Sequence, residues 1–235
     1  MQLEELLAEL KSFGSPVIKN TFLKHGAKEP VWGVKVADMK GLIKKIKNDQ
    51  QLALQLYDSG ISDAMYLAGL VADGSKMSRS DLLKWADKAN WQMLSEYTVP
   101  WVTSENKDAV PIALDWIESK NEAIAASGWC TLSGLASIKP DHEIDINLYR
   151  MLLVRVEKTI HQEQNRVRYC MNGFVIAVGG GISELNNLAM SVAKNIGTVQ
   201  VNSGETACKV PNAPDYLQKI IDLGRVGRKR KTMKC

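Results

Sequence analysis

The sequence predicts an all-α fold, a superhelix of paired helices, and three features carry that expectation. Apolar residues recur at i, i+3, i+4 and i+7 along nearly the whole chain. Turn signals divide it into about twelve segments of roughly ten to eighteen residues. No segment is a long, uniformly apolar helix of the kind that would sit at the centre of a globular bundle.

Taken in order, the elements justify themselves. Leu3, Leu6, Leu7 and Leu10 make the first stripe, closed by Ser15-Pro16. The loop from Gly26 to Pro30 precedes a second stripe of Met39, Leu42, Ile43 and Ile46. Asp49 then stands where a helix would start, ahead of Leu52 and Leu56, and Ser59-Gly60 separates these from Met65, Ala68 and Leu70. Asp73-Gly74, then Ser78 and Ser80 before Asp81, mark further starts, as does Ser104 in SENKDAVPIALDWIES. Pro140-Asp141 and the glycines 179–181 ahead of Ser183 punctuate the second half. Only TVQVN, residues 198–202, alternates like a strand, and it is too short to require a sheet. Helices of this length pair into units of roughly 35 to 45 residues, the spacing of degenerate HEAT-type repeats. Residues 1–223 are therefore expected to form one HEAT-like repeat domain with a concave face, and residues 224–235 a separate basic tail.

Composition narrows the function classes. A chain of 235 residues with 45% hydrophobic content can bury a sizeable core. Its start, MQLEELLAELKSFG, carries Glu4, Glu5 and Glu9 and reads as an amphipathic helix and not as a signal peptide. The apolar runs fall short of a membrane span, so a soluble, cytoplasmic protein with no membrane partner is expected. Cys130, Cys170, Cys208 and Cys235 form no CxxC pair and have no histidine at zinc-finger spacing, which points to reduced thiols, no metal and no cofactor. The expected state is a monomer. His25, His142 and His161 lie far apart with no nucleophile motif beside them, and there is no P-loop. GGGISE, residues 179–184, reads as a turn between helices.

Charge is unevenly placed. The chain ends GRVGRKRKTMKC, in which Arg225, Arg228, Lys229, Arg230, Lys231 and Lys234 meet no acid. These six outweigh the net charge of +4 and leave the rest of the chain at −2. Cations at that density can neutralise phosphates and release their counterions, giving affinity for nucleic acid; the alternative is a solvated terminus. A second basic group, Arg150, Arg155, Lys158, His161, Arg166 and Arg168, spans LYRMLLVRVEKTIHQEQNRVRYCMNGF. Arg166 and Arg168 fall where a helix begins, a place suited to phosphate, unless Glu157 and Glu163 neutralise the face. Five tryptophans, Trp85, Trp91, Trp101, Trp116 and Trp129, fall within 45 residues. Each is a candidate either for packing between helices or for stacking on a base or sugar, and Trp91, opening NWQMLSEYTVPW, is the strongest candidate for stacking.

VWGVKVADMKGLIKKIKND, LALQLYDSGISDAMYLAGLVAD, ANWQMLSEYTVPW and NRVRYCMNGFVIAVGG, in that order and spacing, resemble the AlkD-like family of DNA alkylation-repair proteins built from HEAT-like repeats. The resemblance covers residues 15 to about 197. It implies a C-shaped, all-helical solenoid whose concave basic face grips damaged or distorted duplex DNA and, in active members, a DNA glycosylase of base excision repair that releases purines alkylated at N3 or N7. Such a base is already a good leaving group, so the enzyme chiefly stabilises positive charge on the sugar. The family's Trp matches Trp91. The Asp that follows it by four residues falls on Ser95, and a second Trp falls on Gly173, with Phe174 beside it. The resemblance thus implies Trp91 and Phe174 framing the sugar, with Glu96 standing in for the missing carboxylate if the helix is rotated. Arg150, Arg155, Lys158, Arg166, Arg168, Arg225, Arg228, Lys229, Arg230 and Lys231 would hold DNA. Three functions stay open at this point: a glycosylase, a non-catalytic binder of damaged or branched DNA, and a helical protein-interaction scaffold.

Overall fold

A computed structural model describes residues 2–46, 49–204 and 206–234. Among them are thirteen α-helices, six to seventeen residues long, and no strand. The chain divides into two compact units. The first takes Met1–Ala109, Ser203–Ala207 and Lys234; the second takes Val110–Asn202 and Cys208–Met233.

In the first unit, α1 (Leu3–Ser12), α2 (Pro16–Lys24), α3 (Val36–Lys45) and α4 (Gln50–Asp58) follow the predicted stripes. Leu6, Leu10, Met39, Leu42, Leu52 and Leu56 are all buried. Asp49 caps α4 by accepting from Leu52 N at 3.0 Å. α5 (Ser62–Val71) buries every residue from Ser62 to Gly69 and lies at the centre of this unit. α6 (Arg79–Lys88) opens with the reciprocal Ser78–Asp81 box, each residue's side chain bonded to the other's backbone N–H at 3.1 Å. Leu94–Thr98 then winds as a π-turn, Val99 N reaching back to Leu94 O, and α7 (Val99–Ser104) continues from it, buried at all six positions. Ser104, expected to start the next helix, instead ends α7, its hydroxyl donating to Trp101 O at 2.8 Å.

The second unit holds α8 (Ala109–Trp116) from Val110 onward, α9 (Glu122–Ile138), α10 (Ile146–Thr159), α11 (Asn165–Gly181), α12 (Asn186–Ile196) and α13 (Ala213–Asp222). α9 and α11 form its centre, and α13 docks Leu217 and Ile220 over Gly179 and Gly180. The glycines 179–181 are therefore not a turn. They are the last residues of α11, where a Cβ on Gly181 would overlap the Ala136 carbonyl oxygen. Residues 198–202 pair with no strand among the described residues. Gly224 ends α13 with φ +60°, the left-handed conformation that closes a helix without a Cβ clash.

Beyond it residues 225–233 lie along the second unit and do not trail into solvent. Gly227 N donates to Gly180 O at 2.9 Å, Arg230 N donates to Ser137 O at 2.8 Å, and Met233 covers Gly134. No helix among the described residues is long and apolar enough to cross a membrane.

Candidate functional site

Trp91 sits in the first unit, just before the π-turn, and its surroundings form a pocket. Its indole N–H donates to the His25 carbonyl at 3.0 Å, and its ring lies 5.0 Å from Phe22, centroid to centroid. The pocket has a volume of about 270 Å³ and is walled by Phe22, Val34, Met39, Tyr66, Trp91 and Met93, with Thr21, His25, Val36, Asp63 and Gln92 completing it. Asp63 brings a carboxylate here, but both oxygens are occupied: they accept from Trp32 N at 2.6 Å and Val34 N at 2.7 Å. The residue is 1% exposed, and those two bonds fix the 31–34 segment against the start of α5. With that carboxylate committed, the site offers aromatic contact and the polar side chains of His25 and Gln92.

Ser95 and Glu96 are both buried within the π-turn, and neither lines the pocket. The wider turn does change the helical register after Leu94, but it does not bring Glu96 to the pocket beside Trp91. Phe174 corrects the sequence expectation more plainly. It lies in the second unit at 0% exposure, edge-on to Trp129 at 5.2 Å and stacked on Tyr149 at 5.8 Å, so its ring has no face for a sugar. The same holds for most of the tryptophan cluster. Trp85 stacks on Tyr57 at 3.8 Å, Trp101 meets Tyr66 edge-on, and Trp85, Trp101, Trp116 and Trp129 are each exposed by 4% or less. Burial pushes the phenols of Tyr57 and Tyr149 up, and each donates to a core carbonyl, Trp85 O and Leu132 O respectively.

The cations predicted to hold DNA all lie in the second unit, in two groups. On α10 and α11, Arg150 pairs with Glu184 at 3.0 Å and Arg155 with Glu118; Arg155 also lies over the Trp129 ring at 5.6 Å. Glu157, expected to neutralise this face, instead accepts from Asn195. Lys158 is exposed. Arg166 stacks over Tyr169 at 4.4 Å, and its backbone N–H, at the start of α11, donates to Glu122 at 2.7 Å. That carboxylate occupies the helix start where a phosphate was expected. Arg168 Nε is enclosed and meets no hydrogen-bond partner among the described residues.

The basic tail splits by role. Lys229 is turned inward: its ammonium donates to Ala136 O at 2.9 Å and lies 2.8 Å from Asp141, with the side chain 18% exposed. Lys234 belongs to the first unit, where it meets Ala72 O at 2.6 Å and Glu105 at 2.9 Å. Arg225, Arg228, Arg230 and Lys231 are exposed. These four cations project from a backbone held by its own hydrogen bonds at Gly227 and Arg230.

The sequence pattern of the family described as DNA alkylation repair enzyme matches residues 6–192. The chain belongs to that family. Two curated relatives extend the match over 92% of this chain and 96% of their own: uncharacterized protein Lmo0209 of Listeria monocytogenes, 34% identical, and uncharacterized protein Lin0241 of Listeria innocua, 33% identical. A solved structure at 36% identity covers 100% of both chains with a TM-score of 0.93. It is described as a new family of proteins related to the HEAT-like repeat DNA glycosylases with affinity for branched DNA structures. This member of the DNA alkylation repair family therefore has the HEAT-like repeat fold expected from its helix spacing. Two things about its site are not legible from spacing: the inward use of Lys229 and Lys234, and the assembly of Phe22, His25 and Tyr66 around Trp91. Asp63, an acid at the start of an otherwise apolar helix, is the one available signal.

Proposed function

We propose that this protein binds distorted or branched DNA and does not release its bases. The observation that carries the binding half is the stapled tail, which presents Arg225, Arg228, Arg230 and Lys231 from a backbone held at Gly227 and Arg230. Lys158, Arg150 and Arg155 on α10 add to the same unit's charge. The ion pairs of the two arginines with Glu184 and Glu118 are partly exposed and weakly held, so phosphate can replace the carboxylates. The affinity for branched DNA described for the 36% identical solved relative supports the same ligand class.

The non-catalytic half follows from the Trp91 site. The chemistry implied for active family members uses a carboxylate to favour positive charge on the sugar. Here Ser95 stands where the active relatives carry Asp, Glu96 is buried outside the pocket, and Asp63 has both oxygens committed to backbone N–H groups.

The test is a gel shift with a three-way junction, a four-way junction and a linear duplex, run beside base release from methylated DNA. Tighter retention of the junctions than of the duplex, with no 7-methylguanine or 3-methyladenine above a blank, is expected. Base release by the intact protein overturns the non-catalytic reading. Failure to retain any DNA at low salt overturns the binding reading in favour of a protein-interaction scaffold.

A further inference from the structure

The pocket at Trp91 lies away from the tail cations in sequence and has its own ligand chemistry. We infer that it receives one unstacked nucleobase from the branch point of the bound DNA. This rests on the reading of the protein as a binder of branched DNA and names the part of that DNA which the first unit recognises.

Three properties define the occupant. The walls are almost wholly carbon, with the rings of Phe22, Tyr66 and Trp91 and the flexible side chains of Met39 and Met93, so the ligand presents a flat apolar face. The volume of about 270 Å³ is at the small end of ligand pockets and suits one ring system, not a drug-sized molecule or a long chain. Two lining side chains keep hydrogen-bonding capacity in reserve. The Gln92 carboxamide and the His25 imidazole make no hydrogen bond to any described residue, and both are partly exposed, so they stand where the polar edge of the ligand would remain. A flat heterocycle with donors and acceptors along one edge is the chemistry of a nucleobase.

Charge next to the pocket agrees. Lys24 directly precedes His25, and Lys35 sits between the lining residues Val34 and Val36; both lysines are exposed and form no ion pair among the described residues. An attached phosphate would find cations on both of these flanking segments. A hydrophobic side chain of a protein partner would use the walls but leave Gln92, His25 and these lysines without a role. A branch point that carries an unpaired base supplies the ligand at little cost, because a base that is already single-stranded needs no unpairing.

The experiment compares the full-length protein on two three-way junctions, one with a single unpaired adenine at the branch and one with an abasic residue in its place. The adenine junction is expected to bind about fivefold to 100-fold tighter, the range that stacking of one base on aromatic side chains supplies. Val36→Trp closes the mouth from a position already 37% exposed, so the fold is kept, and it should bring both junctions to the affinity of the abasic one. Gln92→Ala should narrow the difference without abolishing it. Equal affinity of the unaltered protein for the two junctions overturns the pocket assignment and leaves the binding reading intact. Loss of preference in Trp91→Ala alone, with Val36→Trp behaving as the unaltered protein, also overturns it. Absence of any junction binding overturns both.

Discussion

The indole of Trp91 donates its hydrogen bond to the backbone carbonyl of His25, 66 positions earlier, at 3.0 Å. One side chain therefore both builds the wall of the pocket and ties the end of α2 to the approach of the π-turn. Trp91→Phe should keep most of the ring packing against Phe22 while leaving a carbonyl unpaired, costing about 1 kcal/mol. Trp91→Ala adds a cavity and should cost about 3–5 kcal/mol. Urea unfolding of the two variants distinguishes them; a Trp91→Phe protein as unstable as Trp91→Ala would mean that the hydrogen bond dominates the packing.

The tail predicts a separation between charge and anchoring. Replacing Arg228, Arg230 and Lys231 together by Ala should leave the melting temperature unchanged and flatten the salt dependence of DNA binding by about 0.9 in log–log slope for each phosphate no longer neutralised. Lys229→Met removes the inward ion pair with Asp141 and should act on structure first, freeing residues 225–233 to proteolysis. A salt slope that falls as far with Lys229→Met as with the triple variant, and no gain in cleavage, would contradict the division of roles.

Gly134 offers a second hold on the same segment. A Cβ there would overlap the Met233 sulfur, the far end of a flexible side chain, so the tail and not the core must move. Gly134→Ala should loosen residues 231–233 to hydrogen exchange, with a change in global stability of less than about 1 kcal/mol. Gly181→Ala meets the Ala136 backbone instead and should destabilise the second unit several-fold more, read in the same unfolding experiment.

Restoring the family's acid should not restore chemistry. Ser95→Asp puts a charge at a site 4% exposed, on a turn that does not line the pocket, so lower stability and no base release are expected. Release of 7-methylguanine by this variant would show that the π-turn swings into the site when DNA binds.

On the surface of the first unit, Asp58 carries a small pH signature. Partial burial pushes its carboxyl up, but hydrogen bonds from Lys84 and Lys88 outweigh that and hold it below the usual carboxylate range. Its contribution is therefore complete above the unfolded carboxylate value of about 4 and is lost as pH falls through the lower folded value. Asp58→Asn should cost no more than about 1 kcal/mol at pH 7, and the gap to the unaltered protein should close in acid.

The helices are legible in the sequence because their information is local. Leu6 and Leu10, Met39 and Leu42, Asp49 and the Ser78–Asp81 box announce burial and helix starts by spacing within one or two turns. The site is legible only where one letter matters in place. Trp91 stands out by its position, but nothing in the spacing separates it from Trp85 or Trp129, because a tryptophan between helices and a tryptophan beside a ligand obey the same periodicity. Phe174 misleads for the same reason: its neighbours Trp129 and Tyr149 come from α9 and α10, and packing across helices leaves no trace in the local pattern. The tail shows no internal division in sequence, since composition counts charges without showing which of them, as with Lys229, meet an acid on folding.

The π-turn at Leu94–Thr98 also restricts how this lineage can vary. Such a turn holds one residue more than an α-turn, and deleting one would return regular winding at the cost of rotating everything after it by about 100°. α7 follows at once and is enclosed at every position from Val99 to Ser104, so it has no solvent-facing side to rotate into. Insertions and deletions among homologues should accordingly spare this stretch and gather in exposed connections between helices.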